Sequence, residues 1–255
     1  LLLAGTIAQE AQTQAEEGPA CNTETGVGCD ASDYLGLRTY DGQALNLIDI
    51  SSVVFIEAPY AQIQHTLVYE NNFDEPTDLV FYYNKPEDSI IANISASWDN
   101  RDVEAELISQ EDAENIFSKV AGNQNPFNII ARGIPAFVVG TVPPGRDVRI
   151  QYTIIQPLTL VSNEVWAFSL YSSVAADDDF RTREWNSSAD WYGTLLEGSN
   201  VSEWTLNVTL SSRPVLGPVL NPTHNAVGVR TQEGNRTIET WTTSIGLDKD
   251  FVLFW

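Results

Sequence analysis

The sequence predicts a mainly β protein: an antiparallel sandwich with one short amphipathic helix and an extended N-terminal arm. Three observations predict it. Ile63, His65, Leu67 and Tyr69 alternate with Gln62, Gln64, Thr66 and Val68, the period of two of a half-buried strand. Trp204, Leu206, Val208 and Leu210 alternate in the same way with Thr205, Asn207 and Thr209. The first 36 residues contain no Lys or Arg and, beyond Ile7, lack the apolar density to build a core.

In order, Leu1 to Gly36 reads as an arm or linker, and 37–255 as the β domain, with a sub-boundary near 157–163 left open. Leu45, Leu47 and Ile50 lead into Val53 to Ile56, and Pro59 interrupts before the strand that ends at Tyr69. Leu79 to Tyr83 is the next strand. Ile90, Ala92, Ile94, Ala96 and Trp98 are expected on one face, with Ile91, Asn93, Ser95 and Ser97 on the other, before a turn at Asn100-Arg101-Asp102. Ser109 is an N-cap with Asp112 three residues on; Ala113, Ile116, Phe117 and Val120 give one apolar helical face, and Gly122 the stop. Strands follow at Ala136 to Val142, Val148 to Tyr152 and Val165 to Tyr171, with Pro143-Pro144-Gly145 as a turn. Prolines 214, 218 and 222 suggest edge strands. Glu233-Gly234-Asn235 is a hairpin turn with its return strand at Ile238 to Ile245, and Phe251 to Trp255 closes the chain.

Several of these segments together resemble the VIT domain, the module of vault-associated proteins and inter-alpha-trypsin inhibitor heavy chains. They are Gln64 to Asn71 (QHTLVYEN), Leu79 to Pro86 (LVFYYNKP), the helix with its acidic start, and Phe137 through Pro143-Pro144-Gly145 to Tyr152. Leu220 to His224 is similar to the family's SPTH segment, and Lys249 to Leu253 to its KDFVL strand. The resemblance covers roughly Leu37 to Trp255 and implies a VIT-like sandwich. Members usually continue into a von Willebrand A domain, and this sequence contains no D-x-S-x-S metal motif.

The formal charge of −22 argues against nucleic acid and anionic membrane surfaces as partners. No run approaches the ~20 apolar residues of a membrane helix. Methionine is absent, so the chain is expected to be processed or a fragment, and Leu1 to Ala4 could end a signal peptide cleaved near Ala8 or Ala11. Cys21 and Cys29 flank Gly26 and Gly28, and a small disulfide loop in an oxidising compartment is the expectation. Five N-x-S/T sequons, at Asn93, Asn186, Asn200, Asn207 and Asn235, predict N-glycans.

An enzyme is not expected. His65 and His224 are the only neutral-pH bases, each read as structural, and no nucleophile elbow, zinc-protease or phosphate-loop motif occurs. Asp177-Asp178-Asp179 with Asp190 reads as a solvated loop in preference to a calcium site, because three adjacent carboxylates cannot all face one ion. No cofactor or metal is expected. The aromatics of that loop, Phe180, Trp185, Trp191 and Tyr192, suit either sugar stacking or core filling.

The functional expectation is a secreted, glycosylated, non-catalytic structural protein that makes protein–protein contacts. It would self-assemble into a homo-oligomer or filament, with Leu1, Leu2, Leu3 and Ile7 of the arm anchored on a neighbouring copy. The alternative is the recognition module of a larger VIT–von Willebrand A adhesion or matrix-binding protein.

Overall fold

The computed structural model describes residues 36–83, 88–105, 136–162, 165–170, 201, 203–213, 217–224, 226–246 and 251–255. Among them are fourteen strands. The first seven are β1 (Gly36–Thr39), β2 (Asn46–Glu57), β3 (Tyr60–Glu70), β4 (Thr77–Tyr82), β5 (Ile90–Trp98), β6 (Arg101–Glu104) and β7 (Ala136–Val142). The others are β8 (Val148–Pro157), β9 (Thr159–Ser162), β10 (Val165–Leu170), β11 (Glu203–Ser212), β12 (Val229–Glu233), β13 (Arg236–Gly246) and β14 (Phe251–Phe254).

Eight strands make one large sheet in the order β12-β13-β11-β2-β3-β8-β5-β6, and two three-stranded sheets have the orders β1-β4-β7 and β14-β10-β9. The alternation read from the sequence dictates how the large sheet is used. Ile63, His65, Leu67 and Tyr69 of β3, Val148, Ile150 and Tyr152 of β8, and Trp204, Leu206, Val208 and Leu210 of β11 are all buried. Their alternate neighbours form the opposite face. One apolar cluster joins this inner face to both small sheets, through Phe81 of β4 and Phe168 and Phe251 of the other sheet. Phe81 packs with ring centroids 6.4 Å from Tyr69 and 5.8 Å from Tyr152. The architecture is therefore a sandwich whose second layer is split in two.

The β2–β11 pairing is parallel, Thr205 opposite Ser51 through Leu210 opposite Ile56, while β2 pairs antiparallel with β3 on its other side. It joins segments about 150 residues apart in one sheet. At the β12–β13 turn, Gly234 has φ +63, a left-handed conformation that costs glycine no Cβ clash.

Three expectations need correction. In β5 the register shifts between Ile91 and Asn93, leaving Ala92 as the extra residue of a bulge. Ile90 consequently stands 58% exposed opposite Ile155, not buried with Ile94, Ala96 and Trp98; Asn93, Ser95 and Ser97 do share the outer face. The turn after β5 is Asp99-Asn100, with Asp99 at φ +52, and Arg101 and Asp102 already belong to β6. The proline-punctuated segment around residues 217–224 forms no extended strand, and its backbone pairs with β14 at one isolated bridge, Leu220 opposite Phe254. The expected helix at 109–122, Cys21, Cys29 and the arm residues Leu1, Leu2, Leu3 and Ile7 lie outside the described residues.

Candidate interaction face

The outer face of the large sheet is the broadest surface that the strands build, and its register can be read row by row. One row runs Thr242, Asn207, Val53, Gln64, Thr153 and Asn93 across six adjacent strands. The row on one side is Thr240, Thr209, Phe55, Gln62, Ile155 and Ile90; on the other it is Ser244, Thr205, Ser51, Thr66, Gln151 and Ser95. Across these six strands the three rows contain no charged side chain, although the chain carries 35 acidic residues; the first charge in them is Glu104 of β6, opposite Ser95 at the sheet edge. Charge returns at the margins. Glu57 meets Arg236 at 2.7 Å beyond one end, and Arg149 and Asp102 follow at the other. Within the neutral field Val53 is 54% exposed, Phe55 42% and Ile90 58%.

Beneath this face lies a buried polar chain. Ser52 Oγ is 2.7 Å from His65 Nδ1, and Trp204 Nε1 donates to the same oxygen at 2.8 Å. An indole N–H only donates, so Ser52 accepts it, and the hydroxyl's remaining capacity meets Nδ1 of His65. Tyr152 and Trp204 stand 4.8 and 5.8 Å from the imidazole, centroid to centroid. Burial holds His65 down at about pKa 3, so it stays neutral at physiological pH. A Ser–His pair suggests nucleophile activation, but Ser52 and His65 are 1% and 0% exposed, out of a substrate's reach. This pair orders the core.

Two asparagines fix the loops. Asn71, fully buried, donates from Nδ2 to the Pro143 carbonyl at 2.9 Å, and its Oδ1 accepts the Phe73 N–H at 3.2 Å. Its own carbonyl accepts from Gly145 N at 3.1 Å, so the Asn71 end of β3 is tied to the Pro143-Pro144-Gly145 turn. Asn221 Oδ1 accepts from the backbone N–H groups of Thr223 and His224 at 3.2 and 2.9 Å. Thr223 Oγ1 in turn accepts from Val252 N at 3.2 Å, and His224 stacks on Phe251 at 5.9 Å. The Asn-Pro-Thr-His segment and the Phe-Val-Leu strand, about thirty residues apart in sequence, thus form one structural unit, and His224 is committed to it.

The sequons are dispersed. Asn93 and Asn207 lie in the same row of the outer face, Asn93 exposed and Asn207 half-buried. Asn235 is exposed at the β12–β13 turn. Asn186, Asn200 and the Asp177–Asp179 loop lie outside the described residues. Among the described residues no three His, Cys, Asp or Glu side chains gather as a metal site requires, and no helix is long and apolar enough to cross a membrane. Sequence reasoning missed the outward-facing Val53 and Phe55 inside an apolar run; their parity with Ser51 was the available signal.

Residues 47–154 match the family profile of the vault protein inter-alpha-trypsin domain. That segment is similar to a VIT domain. Its matched region contains β2 through most of β8, including the Asn71 clamp and the outer-face positions from Ser51 to Thr153. A VIT domain is a non-enzymatic module, associated with protein interaction in the inter-alpha-trypsin family. The Asn221 and Phe251 unit lies beyond the match, yet β11 and β13 extend the sheet of the matched segment on its β2 side. No curated protein matches the chain. Among solved structures, an M1 zinc metallopeptidase from Deinococcus radiodurans aligns at 9% identity and TM-score 0.40, over 89% of this chain and 45% of that one. A nutrient-binding protein from Legionella pneumophila aligns at 7% identity and TM-score 0.43, over 87% and 67%. The chain thus spans less than half of the metallopeptidase, and likenesses this weak carry no chemistry across.

Proposed function

We propose that this chain is an extracellular, N-glycosylated, non-catalytic structural protein whose VIT domain makes protein–protein contacts and which assembles with further copies of itself. The VIT match supports the interaction role. The observation that carries self-assembly is β9. Among the described residues it ends its sheet, all four of its residues are exposed, and Leu160 and Val161 stand 50% and 52% open, an apolar strand edge of the kind that accepts an added strand. The arm supplies the complement: Leu1, Leu2, Leu3 and Ile7 in a segment free of Lys and Arg. Pairing on a neighbour is heterologous and propagates into a filament unless its rotation closes a ring. In the same oxidising setting Cys21 and Cys29 form a disulfide loop, and no cofactor, metal, nucleic acid or membrane span takes part.

Deleting residues 1–20 and sizing the product tests this reading. Loss of assemblies that the full chain forms, with the domain still folded, is expected; unchanged assemblies would remove the arm from the account. The VIT match also favours a second reading, in which the chain is the recognition part of a larger VIT–von Willebrand A adhesion protein. That reading expects a monomer with or without the arm.

A further inference from the structure

Two sequons lie in one row of the outer face, and the residues between them explain what could cover it. Asn207 and Asn93 are separated by Val53, Gln64 and Thr153, four strand spacings or about 19 Å. In each sequon the hydroxyl residue two places on, Thr209 or Ser95, faces the same way as its asparagine. For Asn93 this holds because the Ala92 bulge absorbs one residue and brings Asn93 opposite Thr153. Val53 lies directly across from Asn207, and Phe55 directly across from Thr209, so the aromatic ring is the diagonal neighbour of the asparagine, within reach of a group attached to it. Between the two asparagines the field is uncharged in a chain of net charge −22, with Glu104 of β6 beyond Ser95 at its edge.

We infer that the outer face of the VIT-domain sheet is seated under the chain's own N-linked sugars, the first sugar on Asn207 packing its C–H face on Val53 and Phe55 and a second glycan on Asn93 covering the other end of the row. The inference rests on the glycoprotein reading above and adds to it the occupant of this face. The chemistry is transfer from a lipid-linked oligosaccharide pyrophosphate. The bond between the anomeric carbon and the phosphate oxygen breaks, a bond from that carbon to Asn207 Nδ2 forms, the amide gives up one proton, and the lipid pyrophosphate leaves. A neutral sugar suits a neutral field whose apolar residues are few and flat, because a pyranose presents C–H groups to the aromatic ring and hydroxyls to the surrounding Thr, Ser and Gln side chains. An anionic or basic protein partner would find no charge here to pair. Capping by sugar also leaves the sheet edges, not this face, for contacts between copies.

The test uses the full chain secreted from a eukaryotic host. Enzymatic release of the glycans in 18O-labelled water, followed by peptide mass spectrometry, reads each asparagine. Occupancy at both Asn93 and Asn207 is expected. Sugar at Asn235 with none at Asn93 and Asn207 overturns the inference and leaves the glycoprotein reading standing; an unmodified chain overturns both. Packing is read by a double-mutant cycle in thermal melting, comparing Asn207→Gln and Phe55→Ser singly and together. Loss of the glycan should lower Tm by a few degrees more in the Phe55 chain than in the F55S chain. Trimming the glycan to its first sugar should keep that difference, and this arm needs no variant at Asn207. Additive effects, or a difference that disappears on trimming, would mean that the sugar does not seat on Phe55.

Discussion

His65 converts a local packing choice into a pH dependence of the whole fold. Its pKa is about 3 in the folded chain against 6.5 for an exposed imidazole, so the unfolded state binds the proton more readily. The stability it secures is complete above pH 6.5 and is lost as pH falls from there toward 3, at a rate approaching about 1.4 kcal/mol per pH unit. Urea melts between these limits should show that slope, and His65→Gln should flatten it. A variant that melts with an unchanged slope would place the titration elsewhere. Asn71 acts through hydrogen bonds alone. Asn71→Ala strands the Pro143 carbonyl and the Phe73 N–H in a partly buried setting, which should cost about 1–3 kcal/mol in the same melts. A loss under ~0.5 kcal/mol would show that the turn holds without it. Neither role is legible in the sequence. Reading His65 as structural rests on its apolar neighbours, whereas its partners Ser52 and Trp204 lie far off in the chain, Ser52 13 residues before it and Trp204 152 residues beyond Ser52.

The elements that can be read in advance are those whose two faces differ. β3, β8 and β11 each set a buried, mostly apolar face against Gln, Thr and Asn, so period two is visible without knowing the partners. β5 defeats that reading because Ile90, Ile91, Ala92 and Ile94 are apolar on both sides of the bulge, and nothing local marks the residue that drops out of register. Removing Ala92 should leave Asn93 opposite Thr153 and Ile94 inward, and so should cost under ~1 kcal/mol, the scale of ordinary surface changes. A loss of several kcal/mol on denaturation would mean the bulge itself is required. The proline-rich segment near residues 217–224 reads as strand because prolines tolerate edges; it pairs with β14 by one backbone bridge at Leu220 and Phe254, and Thr223, positioned by Asn221, adds a side-chain bond to Val252 where a ladder would continue. The parallel β2–β11 contact cannot be foreseen, since alternation says which face is buried and not which strand lies alongside.

At the scale of the molecule, charge and shape divide the surface. The acidic excess opposes close approach of two copies except where charge is absent or backbone pairing compensates. The neutral outer face and the apolar β9 edge are such places, and neither is visible in composition, because each exists only once distant strands are in register. Sugar over the first would direct contact to the second. The central claim is that the arm of one copy adds to β9 of another, and engineered cysteines report it directly. Copies carrying Leu2→Cys and copies carrying Leu160→Cys, mixed under mild oxidation, should give an intermolecular disulfide that neither forms alone at the same concentration. The absence of that mixed product, together with an internal disulfide between positions 2 and 160 in monomers of the double variant L2C/L160C, would show the arm folding back on its own domain and would contradict the account.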